Sequence, residues 1–282
     1  MTWTFEPLTV ALMVASAAAY GLGVRAAWRQ GGPGAGFRPW HVAAFCGGLL
    51  ALALALISPL AWLSNVLFSA HMTQHEIIML VAEPLLVLAQ PLLAMLWAVP
   101  AHRRALVVQA FRRPLIVSIW QRLTTPLVVF LLHGVALWIW HIPALFERAL
   151  HSEAVHAVQH LSFVVTAALF WWGMVHGRYG RAGYGVGVLY VFMTALHSTL
   201  LGALLTIATS TWYRSYEATA AQRRIDALAD QQLAGLVMWV PSGVIFIVVG
   251  LALVAAWLGE SERRVLLGSM GGQRARGTRD EV

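Results

Sequence analysis

Seven apolar stretches of helical length constrain the fold more than any other feature of this chain. They cover roughly residues 8–28, 40–62, 66–90, 126–146, 154–176, 184–208 and 231–258. About 20 apolar residues in a helix cross a hydrocarbon core about 30 Å thick. Only 11% of the residues are charged, whereas a soluble domain has about 25%. The sequence therefore predicts an all-α integral membrane protein, a seven-transmembrane-helix bundle.

The arginines predict how this bundle is oriented. Segments 25–39, 101–125 and 177–183 and the C-terminal tail together hold 15 of the 19 basic residues, all of which are Arg. The loops on the opposite side hold the other four. Because basic residues accumulate in cytoplasmic loops, we expect the N-terminus outside and the C-terminus in the cytoplasm. The positive charge follows the first stretch instead of preceding it, so we expect a span there and no cleaved signal peptide.

The chain is expected to form one membrane domain with a tail. Residues 1–260 are assigned to the seven-span transmembrane domain, and residues 261–282 to a basic, disordered cytoplasmic tail. Pro84 and Pro91 predict a kink at the inner end of the third stretch, followed by a half-span or interfacial piece. Arginine topology explains the net charge of +7, so we expect contact with anionic membrane lipids and no nucleic-acid binding. The single Cys46 excludes an internal disulfide and a cysteine-based zinc site.

Six of the eleven histidines fall in one thin layer near one face of the predicted bundle. They are His71, His75, His141, His151, His156 and His160. Two pairs are spaced four residues apart, on the third and on the fifth stretch, so the rings of each pair lie on one helical face. Polar side chains at membrane depth are costly and usually functional. This layer is where the sequence directs the search for function.

Imidazole and thioether groups in this pattern indicate a copper site. Cu(I) prefers these soft ligands, and carboxylates are scarce here. The candidate metal ligands are His71, His75, His141, His156, His160, His197, Met193, Asp230 and Met238. A zinc protease helix would need Glu between its two histidines, and the segment 71–75 has Gln74 instead. Glu76, just outside the pair, is expected to orient one of the rings.

Other interpretations of the same residues remain open. A lone intramembrane histidine such as His133 is more often a hydrogen-bonding group between helices than a ligand. The main alternative function is a membrane b-type haem cytochrome with bis-histidine ligation, although two pairs at one depth argue against two stacked haems. A transporter would be expected to show paired discontinuous helices, which are not evident. Because nothing resembles a nucleophile triad or a phosphate loop, we expect no catalysis.

Several sequence blocks carry a resemblance to a known family. They are HMTQH at 71–75, PLLVL at 84–88, WHIPALF at 140–146, HAVQHLSF at 156–163, the surroundings of His197, and DQQLAGLVMW at 230–239. In these blocks the chain resembles the multi-span CtaG family of bacterial cytochrome c oxidase assembly factors. The family's histidines fall on His71, His75, His141, His156, His160 and His197, with Asp230 and Met238 on the last span. Glu83 departs from the family, which usually has a small residue or proline there.

The resemblance also implies a function and a location. It implies a multi-pass protein of the bacterial plasma (inner) membrane, needed to mature a haem–copper oxidase, with copper as the metal that it handles. The expected partners are haem–copper oxidase subunits and extracytoplasmic copper chaperones.

Overall fold

The computed structural model describes residues 3, 6–176 and 183–277, and within these ranges it contains helices and no β-strand. Its elements are α1 (Pro7–Gly31), α2 (Pro39–Leu56), α3 (Pro59–Leu63), α4 (Phe68–Glu76), a π-helical segment (Ile77–Ala82), α5 (Glu83–Leu88), α6 (Pro91–Ala98), α7 (Ala101–Phe111), α8 (Pro114–Leu123), α9 (Pro126–Trp140), α10 (Pro143–His151), α11 (Glu153–His176), α12 (Gly183–Thr206), α13 (Arg214–Gln222) and α14 (Ala227–Gly277). Proline begins many of them, since its fixed φ suits the first turn and its missing N–H is not needed there.

The described helices include five to seven candidate membrane spans. Five are long and apolar enough individually: α1, the α2–α3 run, α11, α12 and the first part of α14. Two more arise only if a bent pair counts as one span, namely α4–α5 with α6, bent by 49°, and α8 with α9, bent by 64°. The all-helical membrane architecture is confirmed, whereas seven spans and the orientation of the termini stay predictions.

The predicted kink in the third stretch is present at its inner end. The helix runs from Phe68 to Leu88 and then breaks at Gln90, whose φ of 55° is left-handed. The next helix, α6, packs against α1 so closely that a Cβ on Gly23 would lie 1.8 Å from the carbonyl oxygen of Ala94. Gly23 is therefore needed for this contact between α1 and α6, while the assignment of α6 as a half-span or interfacial piece stays a prediction.

The fourth stretch is shorter than the predicted range of 126–146. Helix α9 ends at Trp140 after 15 residues, which gives about 22 Å at 1.5 Å per residue. Pro143 starts the separate helix α10, because proline lacks an N–H and disfavours helical geometry in the residue before it. Helix α8 adjoins the N-terminal end of α9 at an angle of 64°, and the two helices reach the length of a membrane span only when they are counted together.

The last helix extends beyond the predicted membrane domain. Helix α14 continues to Gly277, through much of the expected tail, and the division at residue 260 stays a prediction. Three of the arginines used for the orientation, Arg178, Arg181 and Arg279, lie outside the described residues. Near its start α14 packs tightly on α12, where a Cβ on Gly235 would be 2.5 Å from the carbonyl oxygen of Gly202.

Candidate metal centre

Four histidines from α4 and α11 form a cluster of touching rings, called here the histidine cluster: His71, His75, His156 and His160. The ring centroid of His71 lies 4.5 Å from that of His75 and 5.7 Å from that of His156. His160 closes the group at 4.8 Å from His75 and 4.3 Å from His156. The spacing of four residues in each helix thus produces two facing pairs, as the sequence predicts.

The cluster leaves several imidazole nitrogens without partners. The Nε2 atoms of His71 and His75 are 2.7 Å apart and hydrogen-bonded to each other. Within the described part of the chain, Nδ1 of His75 and Nε2 of both His156 and His160 are buried and make no hydrogen bond. Buried polar atoms are nearly always satisfied in proteins, so orphaned nitrogens in such a group mark a place for a ligand.

His141 adds a fifth imidazole with a defined tautomer. It caps the end of α9 and lies within electrostatic range of both His71 and His75. Its Nδ1 is 2.7 Å from the carbonyl oxygen of Leu137, so this nitrogen carries the proton and donates. The lone pair is then on Nε2, which is buried and unpaired among the described residues. Metal-binding histidines are commonly oriented by such a backbone hydrogen bond.

An aromatic layer covers this end of the cluster. Its members are Phe68, Phe146, Tyr213 and Tyr216, which come from α4, from α10 and from the start of α13. Phe146 packs on the His71 ring at 5.2 Å, and Tyr216 lies 6.5 Å from it. The loop helices α10 and α13 therefore cover the His71 side of the histidine cluster.

Hydrogen bonds hold the aromatic layer in place. The Tyr213 hydroxyl donates to the carbonyl oxygen of His141 at 2.9 Å, and the Tyr216 hydroxyl donates to that of Ser64 at 2.8 Å. Burial, reinforced by the carboxylates of Asp230 and Glu147, raises the pKa of the Tyr216 phenol well above its usual value. This phenol therefore remains a hydrogen-bond donor at neutral pH. Neither tyrosine is recognisable from the sequence as part of the site, because both lie in a polar loop between two apolar stretches.

Asp230, in the first turn of α14, caps the start of the neighbouring helix α4. Its Oδ2 accepts the backbone N–H of Phe68 at 2.7 Å, and its Oδ1 accepts the hydroxyl of Ser69. This carboxylate thus satisfies a free N–H in the first turn of α4, three residues before His71. Both of its oxygens are occupied, so the observed role is to position the histidine helix. Metal ligation by Asp230 stays a prediction.

The remaining predicted ligands lie apart from the cluster. His197 is near His133, with ring centroids 6.3 Å apart, and Met193 is 40% exposed on α12. Met238 is buried and lines a small cavity together with Glu76. The buried Oε2 of Glu76 makes no hydrogen bond to any described group, so the expected contact with a cluster ring is not seen at this oxygen.

Comparison with known families identifies the group to which this arrangement belongs. A sequence model of the cytochrome c oxidase caa3 assembly factor (Caa3_CtaG) family matches residues 18–260. The chain belongs to this family. The match includes all four members of the histidine cluster, His141 and the α12–α14 contact. It confirms the resemblance seen in the sequence blocks.

The relatives of this Caa3_CtaG chain include uncharacterized mycobacterial proteins. It is 27% identical over 278 residues to one from Mycobacterium bovis and to one from Mycobacterium tuberculosis, and 24% identical over 276 residues to one from Mycobacterium leprae. Each alignment covers 93% of this chain and 40% of the relative. The chain thus spans less than half the length of these relatives. No solved structure matches it.

The cluster of this Caa3_CtaG protein is not arranged as a finished metal site. Among the described residues, no three His, Cys, Asp or Glu side chains are positioned to hold one ion. Two nitrogens bound tetrahedrally at about 2.0 Å from one ion lie about 3.3 Å apart, and those of His71 and His75 are 2.7 Å apart. Ring rotation would be needed to aim both at one ion. The donors are of the kind that copper prefers, whereas the observed ring positions do not form a site for one ion.

The haem alternative fits the geometry less well. A bis-histidine haem needs its flat macrocycle between two opposed imidazoles. In the histidine cluster the rings of His75 and His160, on opposed helices, contact each other directly at 4.8 Å. No slot for a porphyrin separates them, and the matched family is one of assembly factors.

Proposed function

We propose that this protein is a plasma-membrane assembly factor for a haem–copper cytochrome c oxidase and that it binds copper through the histidine cluster. Membership in the caa3 assembly factor family supports the first part. One observation carries the second part: four imidazoles from two helices, two of them fully buried, meet in one group, and each has a buried ring nitrogen with no partner among the described residues. Copper is then a cargo of the protein, and no catalytic step is assigned to it.

The ligands would come from opposed helices. Each of the four histidines has a buried ring nitrogen with no partner in the described ranges, namely Nδ1 of His71 and His75 and Nε2 of His156 and His160. The Nε2 atoms of His71 and His75 would become available only on breaking their mutual hydrogen bond, and His141 offers its Nε2 from the aromatic end. Such a nitrogen-rich set suits copper in either oxidation state.

The aromatic layer would control access to the bound ion. Its side chains project from α4, α10 and the start of α13 onto the His71 side of the cluster. In the predicted orientation this end faces the outside, where extracytoplasmic copper chaperones and oxidase subunits would exchange the metal. The arginines at the opposite end would contact anionic lipids of the inner leaflet.

Metal analysis of the purified protein tests the proposal. The protein, purified in detergent and loaded with copper, should retain the ion after desalting, and its spectrum should lack a haem Soret band. Replacing the four histidines of the cluster by Ala should lower the amount of copper retained per chain, whereas His151→Ala, an exposed residue at the end of α10, should not. A Soret band would favour the cytochrome, and equal copper retention by the fourfold variant would remove the cluster from the function.

A further inference from the structure

A small cavity lies beyond the histidine cluster in the bundle. It has a volume of about 20 Å³, and the heteroatom-bearing side chains in its lining include Glu76, Met79, His133, Ser198, Met238 and Ser242. Ala167 also lines it, seven residues after His160 in α11, which is about 10 Å further along the helix. The cavity is therefore separate from the cluster but begins at the residue next to His75.

The π-helical segment shapes one wall of this cavity. It starts at Ile77, directly after Glu76. Its wider backbone turn exposes carbonyl groups, and the Met79 carbonyl oxygen accepts the indole N–H of Trp171 at 2.7 Å. Both Met79 and Trp171 line the cavity. Single π-helical turns inside α-helices occur frequently at functional sites, since their irregular geometry is otherwise unfavourable.

Glu76 is the unexplained group in this lining. Its Oε2 is sealed from solvent and makes no hydrogen bond to any described residue. The nearby polar groups are engaged elsewhere: the Ser242 hydroxyl donates to the Met238 carbonyl oxygen at 2.6 Å, and His133 Nδ1 pairs with Thr166 at 3.2 Å. A lone ionised carboxylate at this depth is strongly unfavourable unless a cation or a hydrogen-bond donor meets it.

We propose that this cavity is a second binding site, which holds one Cu(I) ion between two thioethers, one imidazole and one carboxylate. The residues are Met79, Met238, His133 and Glu76. Thioether and imidazole are the ligands that Cu(I) selects, and one carboxylate neutralises its single charge. The volume exceeds the roughly 10–15 Å³ that one water requires, so it admits one atom-sized guest and excludes a hydrated ion.

This inference rests on the proposed copper function, because the histidine cluster would supply the ion. Glu76 follows His75 in the chain and lines the cavity, so the two sites are adjacent along α4. The structure then contains a nitrogen-rich site near one membrane surface and a sulfur-containing site deeper inside. The second site would hold copper specifically as Cu(I), because thioethers bind the reduced ion best.

The test is an anaerobic titration of the full-length purified protein with Cu(I), in competition with a chromophoric Cu(I) chelator. The wild-type protein should bind two ions per chain, and X-ray absorption should show sulfur as well as nitrogen neighbours. A double variant, Met79→Leu with Met238→Leu, should bind one ion with nitrogen neighbours only. Met72→Leu is the matched control, since Met72 is also buried but does not line the cavity; it should still bind two.

The outcomes separate this inference from the proposed function. If the wild-type protein binds one ion and shows no sulfur neighbour, the inference is overturned. The cavity would then hold a water, and the histidine cluster would be the copper site. A double variant that retains two ions would also overturn the inference. Retention of the first ion by that variant shows that it is folded. A wild-type protein that binds no copper would overturn the proposed function and the second site together. Glu76→Gln should weaken the second site at least tenfold and leave the first unchanged.

Discussion

The Nε2 atoms of His71 and His75 lie 2.7 Å apart and share one hydrogen bond. One ring must therefore donate its N–H and the other must accept with its lone pair. The two residues are one helical turn apart, and their rings meet at 72°. Without metal, this bond satisfies two nitrogens that would otherwise be buried and unpaired. Copper bound at these two Nε2 atoms would break the bond, whereas copper bound at the unpaired Nδ1 atoms of the two rings would leave it in place.

Removing a single histidine from the histidine cluster should impair copper binding without preventing membrane insertion. His71→Ala or His160→Ala should lower copper retention at least tenfold and reduce oxidase activity in cells, because each removes a candidate ligand. Neither change alters the hydrophobicity that drives insertion of its helix. Copper content and membrane-fraction immunoblots measure the two effects, with His151→Ala as the control. Full oxidase activity in both variants would argue against copper handling by these residues.

The positions of the histidine pairs could be predicted from the sequence because helical periodicity determines them. Spacing of four residues places His71 with His75 and His156 with His160, and the structure brings the pairs together. The bent α8–α9 pair was not predicted. Hydropathy identifies apolar stretches, but it does not show that α9 ends at Trp140 or that α8 adjoins it at 64°.

The grouping of the other candidate residues depended on tertiary packing. Asp230 resembled a ligand in the sequence, whereas in the structure both its oxygens hold the start of α4, a contact between residues 162 positions apart. The aromatic layer depends on α13, whose polar sequence gives no sign that Tyr216 packs over His71. The cavity at Glu76 depends on the π-helical segment, which has no sequence signature.

Loss of the Asp230 cap should destabilise the protein. Asp230→Ala removes two buried hydrogen bonds, including one to a backbone N–H of α4, and a lost helix cap costs about 1–2 kcal/mol. Asp230→Asn should cost less, because one acceptor oxygen remains. Thermal unfolding in detergent measures both, with exposed Asp226→Ala as a milder cap loss at α14. If Asp230→Asn loses copper at unchanged stability, this residue is a ligand and the cap is secondary.

The contact between α12 and α14 should be sensitive to a single methyl group. An added Cβ at Gly235 would lie 2.5 Å from the Gly202 carbonyl oxygen, whereas one at Gly243 would meet nothing within 4 Å. Gly235→Ala should therefore lower the thermal midpoint, because the helices must separate. Gly243→Ala should be neutral or stabilising by up to about 1 kcal/mol, since Ala favours helix over Gly. Equal midpoints for the two variants would contradict the close contact.

The orientation of the bundle is open to direct measurement. The arginine distribution predicts a cytoplasmic C-terminus, and the histidine cluster would then lie near the outer surface. A C-terminal alkaline phosphatase fusion, active only outside the cytoplasm, should be silent, while a C-terminal green fluorescent protein should fluoresce. The reverse pattern would place the cluster at the inner face and assign copper exchange to cytoplasmic partners.

Copper release should depend on pH, because protons compete with the metal for the same lone pairs. Ligation requires neutral imidazole, because a protonated ring has no free nitrogen lone pair for the metal. Copper retention should therefore be full above the ordinary histidine pKa of about 6.5 and decrease as the pH falls below it. Bound metal shifts this loss to more acidic pH. Several ligands protonating together should make the release steep, with more than one proton taken up per ion.

The same titration distinguishes nitrogen from sulfur ligation. Two of the four proposed cavity ligands, Met79 and Met238, are thioethers, which do not titrate, so copper in the cavity should be released at a lower pH than copper in the histidine cluster. With both sites loaded, dialysis at stepwise lower pH should thus give two phases, and only the late phase should disappear in the double methionine variant. A single phase that is independent of pH between about 7 and 4 would mean that sulfur dominates binding. The cluster histidines would then serve structural hydrogen bonding, as that of His71 to His75 already does.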